Sequence, residues 1–391
     1  MKSLFLGLGA LLAAMFAATG ALAQQAVKIG LILPYSGQFA DTATQMDNAI
    51  KLYVKQHGES AGGRKIEIIR KDSGGIAPDV AKRLAQELVV RDRVDVLTGL
   101  ILTPNALAVG DVSAEAKKFT VIMNAATSII TTKSPYMARV SVTTPMLNES
   151  MGLWAAKNGV RRAFTMVSDF GPAHDAEEGF IRAFKEAGGQ VVGSVRFPVA
   201  NPDFAAFVQR AKDSNPDGIY AWVPGGVQPA AIGKALSERG IDTKKFRVMG
   251  QGELTSDEAL QSLGDNALGI ITVFHYDHNL GNKLNRAFVQ AYNADYKRNP
   301  DLFSIGGWDG MHLIYEALKK TGGKTDGEAM IGAAKGMKWE SPRGPMMIDP
   351  ETRDVVQDVY IRRVERVAGR LVNVDFDKVR DVKDPVKARM K

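Results

Sequence analysis

The chain has 391 residues, 45% apolar and 24% charged, with a formal charge of +7 and no cysteine. That length and composition imply a globular protein with room for two domains. The missing cysteines exclude disulfide stapling, thiolate metal sites, iron–sulfur clusters and thiol nucleophiles. The basic residues are spread out rather than gathered beside aromatics, which argues against nucleic-acid binding.

The first residues carry Lys2, an apolar run, and Ala21-Leu22-Ala23 before Gln24. This is the pattern of a secretory signal peptide over 1–23. The run is too short, and too rich in Ala and Gly, to span a bilayer, and no later apolar stretch is long enough. With Gln24 rather than a cysteine after the cleavage site, the expectation is a soluble protein released into a bacterial periplasm.

From residue 27 onward, strand-like and helix-like segments alternate. A buried-type strand over 27–33 breaks at Pro34-Tyr35-Ser36-Gly37. Helical spacing follows over 44–56, then a strand over 65–70 and a helix over 78–90 with proline in its first turn. A strand over 94–97, a helix over 105–117 and a strand over 119–123 complete the first run. The second run has helices over 146–158, 175–187, 204–213 and 227–239. Its strands fall over 163–167, 190–196, 218–223, 246–249 and 269–274. Long helices are predicted over 282–297 and 305–320. The last strands, over 346–348, 355–364 and 371–374, lack intervening helices and read as antiparallel additions to a sheet edge.

Alternating strands and helices specify α/β architecture with parallel sheets covered on both faces. Two such runs suggest two lobes. Ligands of open α/β sheets bind beyond the carboxyl ends of the strands. The loops there cover 34–39, 99–105, 124–128, 168–175, 224–228, 250–254 and 275–278. Their Gly, Ser, Thr and Asn content supplies backbone N–H groups and hydroxyls suited to a carboxylate.

Several motifs have a plainer reading beside the sharp one. His275-Tyr276-Asp277-His278 resembles a metal cluster but lacks a third ligand, so it reads as a loop with one or two ligand-facing side chains, Tyr276 among them. Gly250-Gln251-Gly252 begins a dinucleotide fingerprint that Thr255 interrupts. Ser36, Thr127 and Ser128 have no G-x-S-x-G elbow around them, so they read as turn or carboxylate-binding residues. Trp222 is evenly balanced between core and pocket. Asp309, near the start of a helix, reads as a cap. Gly225-Gly226 is the best second-lobe turn to meet the polar end of a ligand.

The segments Ile29–Gly37, Asp95–Gly99, Asn124–Ser128, Met166–Gly171, Val248-Met249-Gly250 and Trp308-Asp309-Gly310, in this order, carry a resemblance. The chain resembles the type I periplasmic solute-binding proteins of ABC importers, in the leucine/isoleucine/valine-binding branch. The resemblance implies two Rossmann-like lobes joined by a three-crossover hinge, with the ligand in the interlobe cleft. Lobe 1 would comprise 24–142 plus 271–342, and lobe 2 would comprise 143–270 plus 343–391. The implied ligand residues in the first lobe are Tyr35, Ser36, Leu102, Thr103, Asn105, Ala125, Ala126 and Thr127, with Thr127 as carboxylate clamp. In the second lobe they are Phe170, Pro172, Gly225, Gly226 and Glu253, with Tyr276 at the crossover. The implied function is capture of a small carboxylate solute, a branched-chain or related amino acid, for a permease in the inner membrane. Glu253 lies one position later than the family's partner for an α-ammonium, which favours as alternative an aromatic acid of benzoate or cinnamate type. A sensor on the same fold is a further alternative. No catalytic role, cofactor or metal is expected.

Overall fold

The computed structural model describes residues 25–390 except 201, 226, 244 and 245. The expected signal peptide over 1–23 lies outside the described residues. Chain order begins with β1 (Val27–Leu33), α1 (Ala40–His57), β2 (Ser60–Ala61), β3 (Arg64–Asp72), α2 (Pro78–Val90), β4 (Val96–Gly99), α3 (Thr103–Glu115), β5 (Phe119–Ile122) and β6 (Met137–Arg139). It continues through α4 (Thr144–Lys157), β7 (Arg162–Ser168), α5 (Gly171–Glu186), β8 (Gln190–Phe197), α6 (Phe204–Asp213), β9 (Gly218–Trp222), α7 (Gln228–Glu238), β10 (Arg247–Gln251), α8 (Asp257–Leu263) and β11 (Ile271–Phe274). The last part holds α9 (Lys283–Tyr296), α10 (Leu302–Lys320), α11 (Gly327–Ala334), β12 (Lys338–Ser341), β13 (Gly344–Ile348), β14 (Val355–Val367), β15 (Arg370–Val382) and α12 (Pro385–Arg389).

These strands make two sheets. The first runs β2-β3-β1-β4-β5-β6 and the second β12-β13-β14-β11-β10-β9-β7-β8, with β15 on β14. In the first, β1, β3, β4, β5 and β6 pair in parallel. β1 reads Val-Lys-Ile-Gly-Leu-Ile-Leu and is buried except for its half-buried lysine. Such continuous apolarity is what a parallel strand covered on both faces requires. Its Ile29, Leu31 and Leu33 join a core under α1, α10 and α11, whereas Ile32 joins the core under α2 and α3. In the second sheet, Ala163 and Val167 of β7 pack toward α4 and α5, and Phe164 and Met166 toward α6 and α7. The two-residue period of each strand thus fills two helix layers at once.

Most predicted elements stand within a few residues of expectation, and α2 and α6 stand at their predicted bounds. Strand pairing shifts two hinge positions. β11 pairs in parallel with β10 and antiparallel with β14, so Ile271–Phe274 belongs to the second sheet rather than the first lobe. β12 pairs with β13 and joins the same sheet. Among the described residues the chain therefore crosses between lobes at 140–143, 275–282 and 335–337.

Two buried ion pairs fasten the lobes beside these crossings. Asp309 is not a cap; Asp301 caps α10. Asp309 sits fully buried inside the helix and accepts from Trp339 Nε1 (3.1 Å), Ser341 Oγ (3.0 Å) and Arg343 Nε (2.9 Å). Arg343 in turn donates to the carbonyls of Val140 and of Ser141 (3.1 Å). One carboxylate thus fastens α10 to β12 and, through Arg343, to the first crossing. The second pair is Arg139 with Asp354, at 2.8 and 2.9 Å and both enclosed. Removing one member of a buried pair strands the other's charge, a loss of about 3–5 kcal/mol. The Asp354→Ala variant is expected to lose stability on that scale in urea unfolding, and a loss below about 1 kcal/mol would contradict the assignment.

Candidate functional site

The first lobe offers two loops at the ends of β4 and β5. β4 ends at Gly99, whose φ of +95° and a Cβ position only 2.6 Å from Ile32 O admit glycine alone. The chain then turns through Leu102 into α3. The neighbouring loop is stitched to it: Ala125 N–H donates to Leu100 O (3.1 Å) and Asn124 Nδ2 to Ile101 O (3.0 Å). The stitching brings Thr103 Oγ1 to 3.1 Å from Thr127 Oγ1. Arg139 organises the loop from beneath, donating to the carbonyls of Ala125 (3.0 Å), Thr127 (2.8 Å) and Ser128 (3.2 Å). In a trans peptide, C=O and the following N–H point opposite ways. With these carbonyls drawn to Arg139, the N–H groups of Ala126, Ser128 and Ile129 turn away from it, that of Ser128 being taken by Asp175. Two adjacent hydroxyls, outward amides and the start of α3 form an anion-accepting surface.

Not every expected first-lobe residue joins this surface. Asn105 is buried and spent: its Oδ1 accepts from Ala77 N–H (3.0 Å) and its Nδ2 donates to Gly75 O (2.8 Å). It braces the loop after β3, a job that the shared Asn-rich loop composition concealed. The Tyr35 ring packs on the first-lobe core, and its hydroxyl lies near Arg70 and Asp47; burial pushes its pKa well up. Ser36 is exposed, with its N–H on Asp72 (3.3 Å).

The second lobe faces this surface with the ends of β7, β9, β10 and β11, whose registers align them side by side. Phe170, just past β7, and Trp222, ending β9, hold their rings 5.5 Å apart. Trp222 is 5% exposed in the second-lobe core and donates through Nε1 to Gln251 Oε1 (3.1 Å). Gln251 Nε2 donates to the two Glu253 oxygens at 3.1 and 2.9 Å. Burial, opposed by its own main-chain N–H, by Gln251 and by the Arg362 charge, raises the Glu253 pKa above its ordinary value. The Phe274 ring fills the space above Gly252, where a Cβ would lie 2.1 Å from it. Beside it His275 is buried with Nδ1 unpartnered, and burial holds its pKa far below the normal imidazole value.

Pro172 sits in the first turn of α5. Gly225 is exposed with open space around it, and Gly226 lies outside the described residues. Tyr276 departs from expectation: it is 2% exposed in an aromatic cluster with Phe288 and Tyr292, and its hydroxyl donates to Asn285 Oδ1 (3.0 Å). The crossing wraps it into the core instead of presenting it to the cleft. Asp277 pairs with Arg362 (2.8 Å), and among the described residues no group of three or more His, Asp or Glu could hold a metal ion.

The sequence reading missed the link between the two halves. Ala126 O accepts from Thr144 N–H (2.9 Å) and Thr144 Oγ1 (3.1 Å). Thr144 O accepts from Asn148 Nδ2 (2.7 Å), which also donates to Gln251 Oε1 (2.9 Å). A continuous polar chain therefore runs from the hydroxyl loop through the start of α4 to Glu253. Thr143-Thr144-Pro145, a helix start placed at a crossing, was the available signal.

Two α/β lobes presenting complementary strand ends across a three-crossing hinge define a two-lobed solute receptor. The periplasmic binding protein family profile matches residues 26–370, and the chain belongs to that family, the type I solute-binding receptors of ABC transporters. It is 40% identical over 342 residues to Leu/Ile/Val-binding protein homolog 6 of Brucella melitensis biotype 1, covering 87% of this chain and 88% of that one. It is 48% identical to a crystallised ABC-transporter solute-binding protein of Rhodopseudomonas palustris BisB5 in complex with 3,4-dihydroxybenzoic acid (TM-score 0.88, covering 93% and 99% of the two chains). An R. palustris solute-binding protein in complex with 4-hydroxybenzoate is 36% identical (TM-score 0.89, covering 94% and 100%). Among the described residues no helix is long and apolar enough to cross a membrane.

Asp175 of α5 bridges the lobes beside the hydroxyl loop. Its Oδ2 is buried without a partner. Burial raises its pKa to about 6; the Ser128 N–H opposes this, Glu178 and Asp384 reinforce it, and Arg139 opposes it. A carboxyl whose folded pKa exceeds its unfolded value makes the fold lose stability as pH rises from about 4 to 6. Asp175→Asn is therefore expected to raise the thermal midpoint at pH 7.5, with the gain shrinking at pH 4. An equal gain at both pH values would contradict the assignment.

Proposed function

We propose that this receptor captures an aromatic carboxylic acid of the hydroxybenzoate class in the periplasm and presents it to an inner-membrane ABC permease. The observation that carries the reading is the pairing of a hydroxyl-and-amide surface on one lobe with the Phe170–Trp222 wall on the other. The 48% identity to a protein crystallised with 3,4-dihydroxybenzoic acid supports the same chemistry. The carboxylate docks at Thr103, Thr127 and the outward amides. The ring slides against Phe170 and Trp222, where aromatic contacts add about 0.5–1.5 kcal/mol beyond burial. Contacts made to both lobes exist only when the cleft is shut, so ligand shifts the open–closed equilibrium toward the closed form. The reading assigns the chain no catalytic step.

A branched-chain amino acid is the second reading, supported by the Leu/Ile/Val-binding names of relatives. It would place the α-ammonium at Glu253. A thermal-shift panel of benzoates against aliphatic amino acids decides between them. Stabilisation by hydroxybenzoates alone is expected, and stabilisation by leucine alone would overturn the proposal. For the clamp itself, Thr127→Val removes a hydrogen bond to a charged group, which is expected to weaken 3,4-dihydroxybenzoate about tenfold or more in calorimetry. Unchanged affinity would move the carboxylate elsewhere.

A further inference from the structure

The amide of Gln251 has no freedom to turn over. Its Oε1 accepts from Trp222 Nε1 and from Asn148 Nδ2. Asn148 is itself fixed, because its Oδ1 accepts from the Tyr220 hydroxyl at 2.6 Å and its Nδ2 is committed to Thr144 O. Reversing Gln251 would set donor against donor, and reversing Asn148 would set acceptor against acceptor, in a buried network. Gln251 Nε2 must therefore face Glu253 and hold both carboxyl oxygens.

Glu253 makes no ion pair among the described residues, and Arg362, the cation that influences it, is committed to Asp277. Its own main-chain N–H and the Gln251 amide are neutral donors, and they leave lone-pair sites of the carboxyl empty. The group is thus a rigidly aimed acceptor with vacant capacity, beside the aromatic wall and at the far end of the polar chain that starts at the hydroxyl loop. A partly filled acceptor in such a place matches a donor brought by the ligand.

We propose that Glu253, oriented by Gln251, receives a ring hydroxyl of the bound acid and thereby selects hydroxylated benzoates over benzoates without a ring donor. This rests on the aromatic-acid reading above. The same carboxyl meeting an α-ammonium is the competing use, and the probes below separate the two. Asn148 and Gln251 act as positioning residues: they set the aim of the acceptor without touching the ring.

The test is calorimetry on the mature chain with 4-hydroxybenzoate, 4-fluorobenzoate and leucine. Fluorine is close in size to hydroxyl but brings no donor. Wild-type protein is expected to prefer 4-hydroxybenzoate over 4-fluorobenzoate by about tenfold or more, the scale of a hydrogen bond to a carboxylate. In Glu253→Gln and in Glu253→Asp that ratio is expected to fall toward one. Equal wild-type affinities for the two benzoates would overturn the inference without recourse to a variant. So would a variant that weakens both ligands by the same factor. Binding of leucine with neither benzoate bound would instead overturn the aromatic-acid reading.

Discussion

The enclosed pair of Arg139 and Asp354 is the interaction on which the candidate site depends. Either ion alone in that interior would be prohibitively desolvated. Together they persist because every donor is used: Asp354 takes the guanidinium, and the remaining N–H groups go to the three loop carbonyls. The loop's shape is therefore a by-product of satisfying a buried charge. Asp354 also accepts from Lys387 Nζ (2.6 Å), whose pKa is lowered by burial. The short C-terminal helix is thereby pinned to the same centre, and a segment distant in sequence supports the hydroxyl loop.

The second centre, Asp309 with Arg343, does comparable work for the hinge. It joins α10 to β12 and to the first crossing, and Gln357 Nε2 adds a bond to Ser141 O (2.8 Å). Rigid fastening near the crossings suits a body that swings as two units.

Much of the architecture was legible because apolar periodicity and punctuation were strong. Pro78 at a helix start and Asn201-Pro202-Asp203 before another fixed the bounds of α2 and α6. β6 was missed because a three-residue strand ending in arginine reads as loop; only the partner Asp354, 215 residues away, makes Arg139 a core residue. β15 was predicted to end at 374 but reaches Val382, since its outer half alternates charged residues on a ribbon edge where burial no longer dictates type. The hinge boundary moved past Phe274 because strand pairing, not composition, decides which sheet a segment joins. Among the expected site residues, the resemblance named Thr103 and Thr127, and their hydroxyls stand 3.1 Å apart. Asn105 and Tyr276 carry the same kind of polar group, yet internal partners consume them. A sequence shows which groups a loop carries, but not which of them the protein has already used.

The account comes down to one carboxylate seated between two threonines, with its ring against an aromatic wall on the opposite lobe. The most direct measurement is a crystal structure of the mature chain with 3,4-dihydroxybenzoate bound. The account predicts ligand carboxylate oxygens within hydrogen-bonding distance of Thr103 Oγ1 and Thr127 Oγ1, and the ring in contact with Phe170 and Trp222. A closed complex whose carboxylate lies against the second lobe, away from both threonines, would contradict it.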